Sequence, residues 1–448
     1  MNWFSSFFGK REEDVAQDVT ALADVVLAPP PPVETRDRPL PRFRGTAADQ
    51  LRSGTRLHDR IRLQLRQAFT PARPIMDPAM LAGRTDLLRT MIRAIEDQYL
   101  HVILFGPRGI GKTSLLHVLC GIAQESRYVV RYISCGERTS FDGLFRSVMA
   151  DVPLLFHANY DPTAAEIEEG LSFADLLDDR PVTVDRASDI LGKVAGTRLL
   201  IVLDEFDRAG DADFRRSVAE LIKNVSDRGS RVQLVIAGVA QNLTEIVEHV
   251  PSIRRNILGL RVPNMTPDDI AELISNGQQA SGMAFTPKAL QLISLAALGL
   301  PYLASLVGQH AGFAALDRQS TTIDHTDVDR GIGQVLDHLD LRIAPDVRQR
   351  MDQALRAGQD HLLGRLAQIA LANSFRLPPD EIDRELNNLR PGNPANTAEP
   401  LAALKDQYRL LTAVPDDPTG ALSFVDDGVP LYLWVRLMHG HSRGNRAG

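Results

Sequence analysis

The stretch Gly106-Pro107-Arg108-Gly109-Ile110-Gly111-Lys112-Thr113-Ser114 constrains this chain more than any other. It contains a complete G-x-x-x-x-G-K-T pattern. An apolar run, Val102 to Phe105, precedes it, and Leu115, Leu116, Val118, Leu119 and Ile122 follow at helical spacing. Buried strand, glycine turn and helix N-terminus, in that order, make a cradle for phosphate. The glycines let backbone N–H groups turn toward phosphate oxygens, and the helix end adds partial positive charge. Lys112 has the reach for β- and γ-phosphates, and the Thr113 hydroxyl is placed to ligate Mg²⁺. The loop therefore predicts an α/β P-loop fold that binds a nucleoside triphosphate.

A second stretch gives that prediction a reaction. Leu199-Leu200-Ile201-Val202-Leu203 is a run of apolar residues ending in Asp204-Glu205. Continuous apolar residues fit a parallel strand buried on both faces, and carboxylates at its C-terminal end lie where open α/β sheets hold their ligands. Asp204 is expected to hold Mg²⁺, directly or through water, and Glu205 to act on the attacking water as general base. Further strands are expected at Tyr128–Ser134, Val232–Val239 and Ile257–Val262, with helices at 86–97, 141–156, 184–195 and 214–226 between them. That alternation predicts a doubly wound parallel sheet. Gln241 and Asn242, after the strand ending at Val239, are the candidates for a contact with the γ-phosphate or the water, and the pattern does not choose between them. Residues 159–179 hold Glu166, Glu168, Glu169, Asp175, Asp178 and Asp179 and read as an acidic, partly helical surface insertion.

Composition closes off other classes. The 448 residues allow two or three domains, and 44% hydrophobic residues suffice for ordinary cores. A formal charge of −7 gives no overall attraction to nucleic acid, so any such contact is confined to a local patch. Two cysteines, Cys120 and Cys135, make neither a disulfide scaffold nor a metal cluster, and a cytoplasmic location is expected. No run of apolar residues is long enough for a transmembrane helix, and Met1–Arg11 lacks the form of a secretory signal. In that opening segment Trp3, Phe4, Phe7 and Phe8 fall at helical spacing. Two readings stay open for residues 1–11: a membrane-surface contact, or a tail weakened for anionic lipid by Glu12, Glu13 and Asp14. Pro29–Pro32 begins a proline-rich linker, so residues 1–50 read as a tail.

The phosphate loop, the run Leu199–Asp207, the strand at 233–239 and the pair Arg254-Arg255 ahead of the last strand together resemble an AAA+ ATPase. More narrowly they resemble the origin-recognition-like branch and its STAND relatives. The resemblance runs from about residue 75 to the C-terminus. It implies that Leu81-Ala82-Gly83-Arg84 lies near the adenine and that Gly299–Leu306, with Pro301, belongs to a helical lid. It implies that Arg254 or Arg255 is an arginine finger acting in trans within an oligomer; a pair of surface arginines is the other reading. Many members carry an arginine in the lid helix. Here Pro301-Tyr302 stands in its place, which favours a slow switch over rapid turnover.

The implied organisation is a nucleotide-binding core at 51–264, an all-helical lid at 265–344, a winged-helix-like domain at 345–440 and a tail at 441–448. In the lid, Thr266-Pro267-Asp268-Asp269 is a strong helix start. In the last domain, helices at 361–373, 379–388 and 398–408 precede strands at 410–414 and 421–425 and a helix at 429–438. Between residues 359 and 440 seven bases face eleven acids, a net −4, and the turn between the strands carries Asp416 and Asp417. Phosphate contact dominates DNA affinity, so a protein partner, or self-assembly with ATP, is the first expectation. Lys405 and Arg409 on the presumed recognition helix leave a DNA role open.

Overall fold

The structure is a computed structural model. It describes residues 57–444 except 162, 210–211, 240–250, 374, 390–397, 415–416 and 418. The N-terminal aromatic segment and proline linker, Gln241, Asn242, Asp416 and the helix expected at 243–250 therefore lie outside the described residues.

Five strands form one parallel sheet: β1 (His101–Phe105), β2 (Val129–Ser134), β3 (Leu199–Asp204), β4 (Val232–Gly238) and β5 (Ile257–Arg261), in the order β2-β3-β4-β1-β5. Every residue of β3 and β4 is buried, in keeping with their mainly apolar sequence, and Gln233 and Asp204 are the polar side chains buried with them. The outer strands β2 and β5 are only half buried. His101, at the start of β1, is the one polar side chain of that strand. Its Nδ1 accepts from Leu234 N at 2.9 Å and its Nε2 lies 3.0 Å from Ser226 Oγ. Burial pushes its pKa down to about 4, so it serves as a neutral tie between strands.

Helix α1 (Leu57–Ala68) comes first among the described residues. Helices α2 (Thr85–Glu96), α3 (Lys112–Glu125), α4 (Phe141–Ala150), α5 (Val184–Leu191) and α6 (Ala212–Asp227) alternate with the strands. Helix α4 stops at Ala150, short of the Phe156 expected from sequence. Pro153 explains this, because a proline disfavours helical backbone in the residue before it. Leu154–Phe156 then forms one 3₁₀ turn. The acidic insertion is partly helical, at Ala164–Glu168, yet it is not wholly superficial. Phe173 is fully buried in the core that also holds Leu144, Val148 and Leu191, and its N–H donates to Val152 O at 2.8 Å.

The lid comprises α7 (Pro267–Ser281), α8 (Pro287–Ala297), α9 (Pro301–Asp317) and α10 (His325–Asp340), with two short parallel strands, β6 (Ala284–Phe285) and β7 (Thr322–Ile323). Thr266 and Asp269 form a reciprocal capping box at the head of α7. Helix α1 packs on this lid. Its Leu65 and the following Phe69 sit where α7 and α9 present Gly277, Gly308 and Gly312. A Cβ on Gly277 would come within 2.2 Å of the Phe69 ring, and one on Gly312 within 2.7 Å of Leu65.

Helix α11 (Pro345–Arg356) leads to the last unit. There α12 (Asp360–Ala372), β8 (Arg376–Leu377), α13 (Pro379–Leu389), α14 (Ala398–Ala402, continued by a π-helical turn to Gln407), β9 (Leu411–Ala413) and β10 (Leu422–Phe424) follow in winged-helix order. The strands form an antiparallel sheet, β8-β10-β9. Helix α15 (Val429–Gly444) closes the chain and docks on the lid, with Trp434 Nε1 donating to Ala296 O at 2.9 Å. No helix among the described residues is long and apolar enough to cross a membrane.

Candidate functional site

The loop between β1 and α3 opens onto a cavity of about 410 Å³ at the C-terminal end of the sheet. Gly109 and Gly111 hold φ of +74° and +94°, conformations that a side chain would strain. Gly106 and Ile110 are buried beneath the loop, with Ile110 fully so. Lys112 is buried, and its ammonium donates to Gly106 O at 2.7 Å and Pro107 O at 2.9 Å. Burial lowers its pKa to about 8, against the upward pull of Asp207 and Asp204.

Asp204 is 2% exposed and gathers three donors. Its Oδ2 accepts from Thr113 Oγ1 and from Tyr132 Oη, each at 2.7 Å, and its Oδ1 accepts from Glu205 N at 2.8 Å. A carboxylate and a hydroxyl that converge beside a buried ammonium fit Mg²⁺, which takes hard oxygen ligands and is bound through one or two carboxylates plus substrate phosphates. Among the described residues no group of three His, Cys, Asp or Glu forms an all-protein metal cage. Thr113 and Asp204 are thus the residues that would hold the ion.

Glu205 is left-handed, at φ +52°, an uncommon conformation for a residue with a side chain and one that collects at functional positions. Its Oε2 accepts from Ser134 Oγ at 3.0 Å and pairs with Arg208 Nη1 at 2.8 Å. Asp207 reaches the neighbouring strand: Oδ1 accepts from Val239 N at 2.8 Å, fixing the end of β4 beside the cavity.

The lid closes the other side. Helix α9 contributes Pro301, Tyr302 and Ser305, and Tyr302 N donates to Gly109 O at 3.4 Å. In the turn between α8 and α9, Leu298 and Gly299 are both left-handed, and Gly299 O accepts from Met265 N at 2.8 Å. Among the described residues the lid brings no arginine to the cavity, and the cations lining it are Arg73, Arg108, Lys112 and Arg208. Arg108 also pairs with Asp427, in the turn before α15, at 3.1 Å.

Several expected residues stand elsewhere. Gly83 and Arg84 do not line the cavity. Gly83 N donates to Glu272 Oε2 at 3.1 Å, while Arg84, itself buried, donates to Pro263 O at 2.7 Å and to Ile110 O at 3.4 Å. They brace the back of the loop against the lid. Ser114 lines the cavity, but its hydroxyl accepts from Ile75 N at 3.1 Å. Arg254 and Arg255 precede β5, at the end of the parallel sheet opposite the loop, and Arg255 lies 3.7 Å from Asp227. They are out of reach of this chain's own phosphate site. Lys405 and Arg409 are exposed. Sequence reasoning missed Tyr132, Ser134, Asp207 and Arg208, and missed residues 70–75, Met80 and Leu273, which line the cavity away from the loop. Only Asp207 left a signal, as the third acid of the Leu199–Asp207 run.

Residues 81–236 match the family model of the AAA ATPase domain. No curated protein matches the chain. Among solved structures it is similar to the Orc1 protein of Aeropyrum pernix in complex with DNA, at 15% identity over 84% of this chain and 97% of that one, with a TM-score of 0.45. It is also similar to Cdc6p of Pyrobaculum aerophilum, at 15% identity over 84% and 98%, TM-score 0.41. A third is the RuvB Holliday junction branch migration motor of Thermotoga maritima, at 14% identity over 77% and 93%, TM-score 0.41.

Proposed function

We propose that this chain, an AAA+ P-loop ATPase, is a switch in which the nucleotide at the phosphate loop sets the position of the lid and the C-terminal unit, and through them a protein partner or an assembly of copies. One observation carries the reading: the phosphate loop touches both units, through Gly109 with Tyr302 and through Arg108 with Asp427. ATP phosphates would draw Arg108 toward themselves and repel Asp427, so binding would work against the second contact. Lys112 would hold the β- and γ-phosphates, and Thr113 and Asp204 the Mg²⁺, which offsets phosphate charge when bound. Glu205 would orient the water once it leaves Arg208 and Ser134. Hydrolysis is slow in this reading because the lid supplies no arginine.

Hydrogen exchange across residues 425–430, with a non-hydrolysable ATP analogue, with ADP and without nucleotide, tests the reading. Exchange should rise with the triphosphate, and Asp427→Asn should raise it without nucleotide. Equal protection in all three states would overturn the switch.

A second reading, DNA contact through the C-terminal unit, is favoured by one feature. Asp417, an acid of the turn between the last two strands, is turned inward: it pairs with Arg376 at 3.3 Å, its side chain 5% exposed. Lys405 and Arg409 would then supply phosphate contacts. Salt-sensitive binding to duplex DNA, weakened by Lys405→Glu with Arg409→Glu, is expected; no binding at low salt removes the reading. Mass photometry with and without ATP decides whether Arg254 or Arg255 has a neighbouring site to reach.

A further inference from the structure

We infer that Tyr132 is a positioning residue for the metal-binding carboxylate, holding Asp204 in the orientation that Mg²⁺ requires. The inference deepens the site reading above and rests on its assignment of Thr113 and Asp204 to the ion.

Tyr132 lies on the outer strand β2, in register with Val202, while Asp204 pairs with Ser134. Tyr132 and Asp204 are thus diagonal across two parallel strands, a separation a long side chain can span. The phenol does so, its hydroxyl 2.7 Å from Asp204 Oδ2. Its ring is clamped from the other side by the His117 imidazole, stacked at 4.3 Å with the planes 26° apart. His117 sits on α3, one helical turn after Thr113, so the group that orients Asp204 is itself held by the helix that carries the other metal ligand.

The same Oδ2 accepts from both Thr113 and Tyr132. An ion held by Thr113 would take a lone pair of its oxygen and leave the O–H to donate to Asp204. The Tyr132 hydroxyl would then fix the same Oδ2 from the strand side, independently of the helix that carries Thr113. Asp204 is buried, so water is poorly placed to substitute. Groups that orient a metal ligand in this way commonly govern metal affinity about 10- to 100-fold.

The test is a Mg²⁺ titration of fluorescent ATP-analogue binding by the full chain, repeated with Mn²⁺ followed by electron paramagnetic resonance. Tyr132→Phe keeps the ring and the stack and removes only the hydroxyl. It should raise the half-saturating Mg²⁺ about tenfold or more, and leave nucleotide affinity in EDTA unchanged. His117→Ala, which frees the ring, should shift Mg²⁺ dependence the same way by less. A Tyr132→Phe titration that overlays the wild type would overturn the inference. So would equal loss of affinity with and without Mg²⁺, which marks a purely structural role. Asp204→Asn should abolish the Mg²⁺ dependence; if it does not, the assignment of the ion fails first, and the role of Tyr132 with it.

Discussion

The buried ammonium of Lys112 makes nucleotide binding depend on pH in a direction that can be worked out. Burial lowers its pKa to about 8. Only the charged form attracts phosphate, and bound phosphate in turn favours that form, so above the free-state pKa binding must take up a proton. The association constant then falls by the factor 1 + 10^(pH − 8), about twofold at pH 8 and about elevenfold at pH 9 relative to acid conditions. ATP itself changes little across this window, since its terminal phosphate titrates at about pH 6. The measurement is isothermal calorimetry in two buffers of different ionisation enthalpy. Proton uptake should climb from near zero at pH 7 toward one at pH 9. Neighbouring charges set the midpoint: Asp207 pulls it up and Arg108 pushes it down. Asp207→Asn should therefore move it below the wild-type value and Arg108→Ala above it. Lys112→Ala, which removes the ammonium, should abolish ATP binding. Stability runs the other way. The unfolded chain holds this proton up to the ordinary pKa of 10.5. The ligand-free protein therefore gains up to about 3 kcal/mol from this group as pH rises through that interval. Flat affinity with no proton uptake between pH 7 and pH 9 would refute the argument.

Two other substitutions separate binding from its consequences. Glu205→Gln should retain ATP affinity and lose turnover by at least about 100-fold in single-turnover hydrolysis; preserved turnover would mean that Glu205 does not act on the water. Phe69→Ala empties the space left by Gly277 and Gly308 and should cost about 3–5 kcal/mol in thermal or denaturant unfolding. It should also weaken ATP, because residues 70–75, which line the cavity, hang from the anchored end of α1. Unchanged affinity would show that they do not serve the nucleotide.

The sheet was legible because its signals are local. Of the two inner stretches read most firmly, Leu199–Leu203 is a run of apolar residues and Val232–Val239 is one broken only by Gln233, and burial on both faces accounts for both. The phosphate loop was legible for the same reason: strand, glycines, lysine and helix are consecutive, so their geometry follows from a single turn of chain. The stop of α4 at Ala150 was also local, since Pro153 stands in plain view, and the longer helix gave too much weight to apolar spacing. The packing of α1 on the lid was not legible. It depends on Gly277, Gly308 and Gly312, whose role is to leave space, and an absent side chain has no period.

The polar shell around Asp204 shows where local reading ends. Alternation along β2 places Tyr132 and Ser134 on one face, but it does not name the strand beside them. Only the register Ser134 with Asp204 brings the phenol to the carboxylate and the hydroxyl to Glu205. Arg84 shows the converse. Its sequence neighbourhood pointed to the nucleotide, whereas folding buries it against Pro263 and Ile110. A guanidinium placed there pays desolvation, which lowers its pKa against the opposing pull of Asp269. Its Nε has no hydrogen-bond partner. Such a charge is tolerated because its two carbonyl contacts join the back of the phosphate loop to the segment entering the lid. The polar residues that flank the nucleotide site thus fall into two kinds. Those fixed by the loop's own turn can be read one residue at a time, and those that tie the loop to strand β2, to the lid or to Asp427 exist only once separate segments meet.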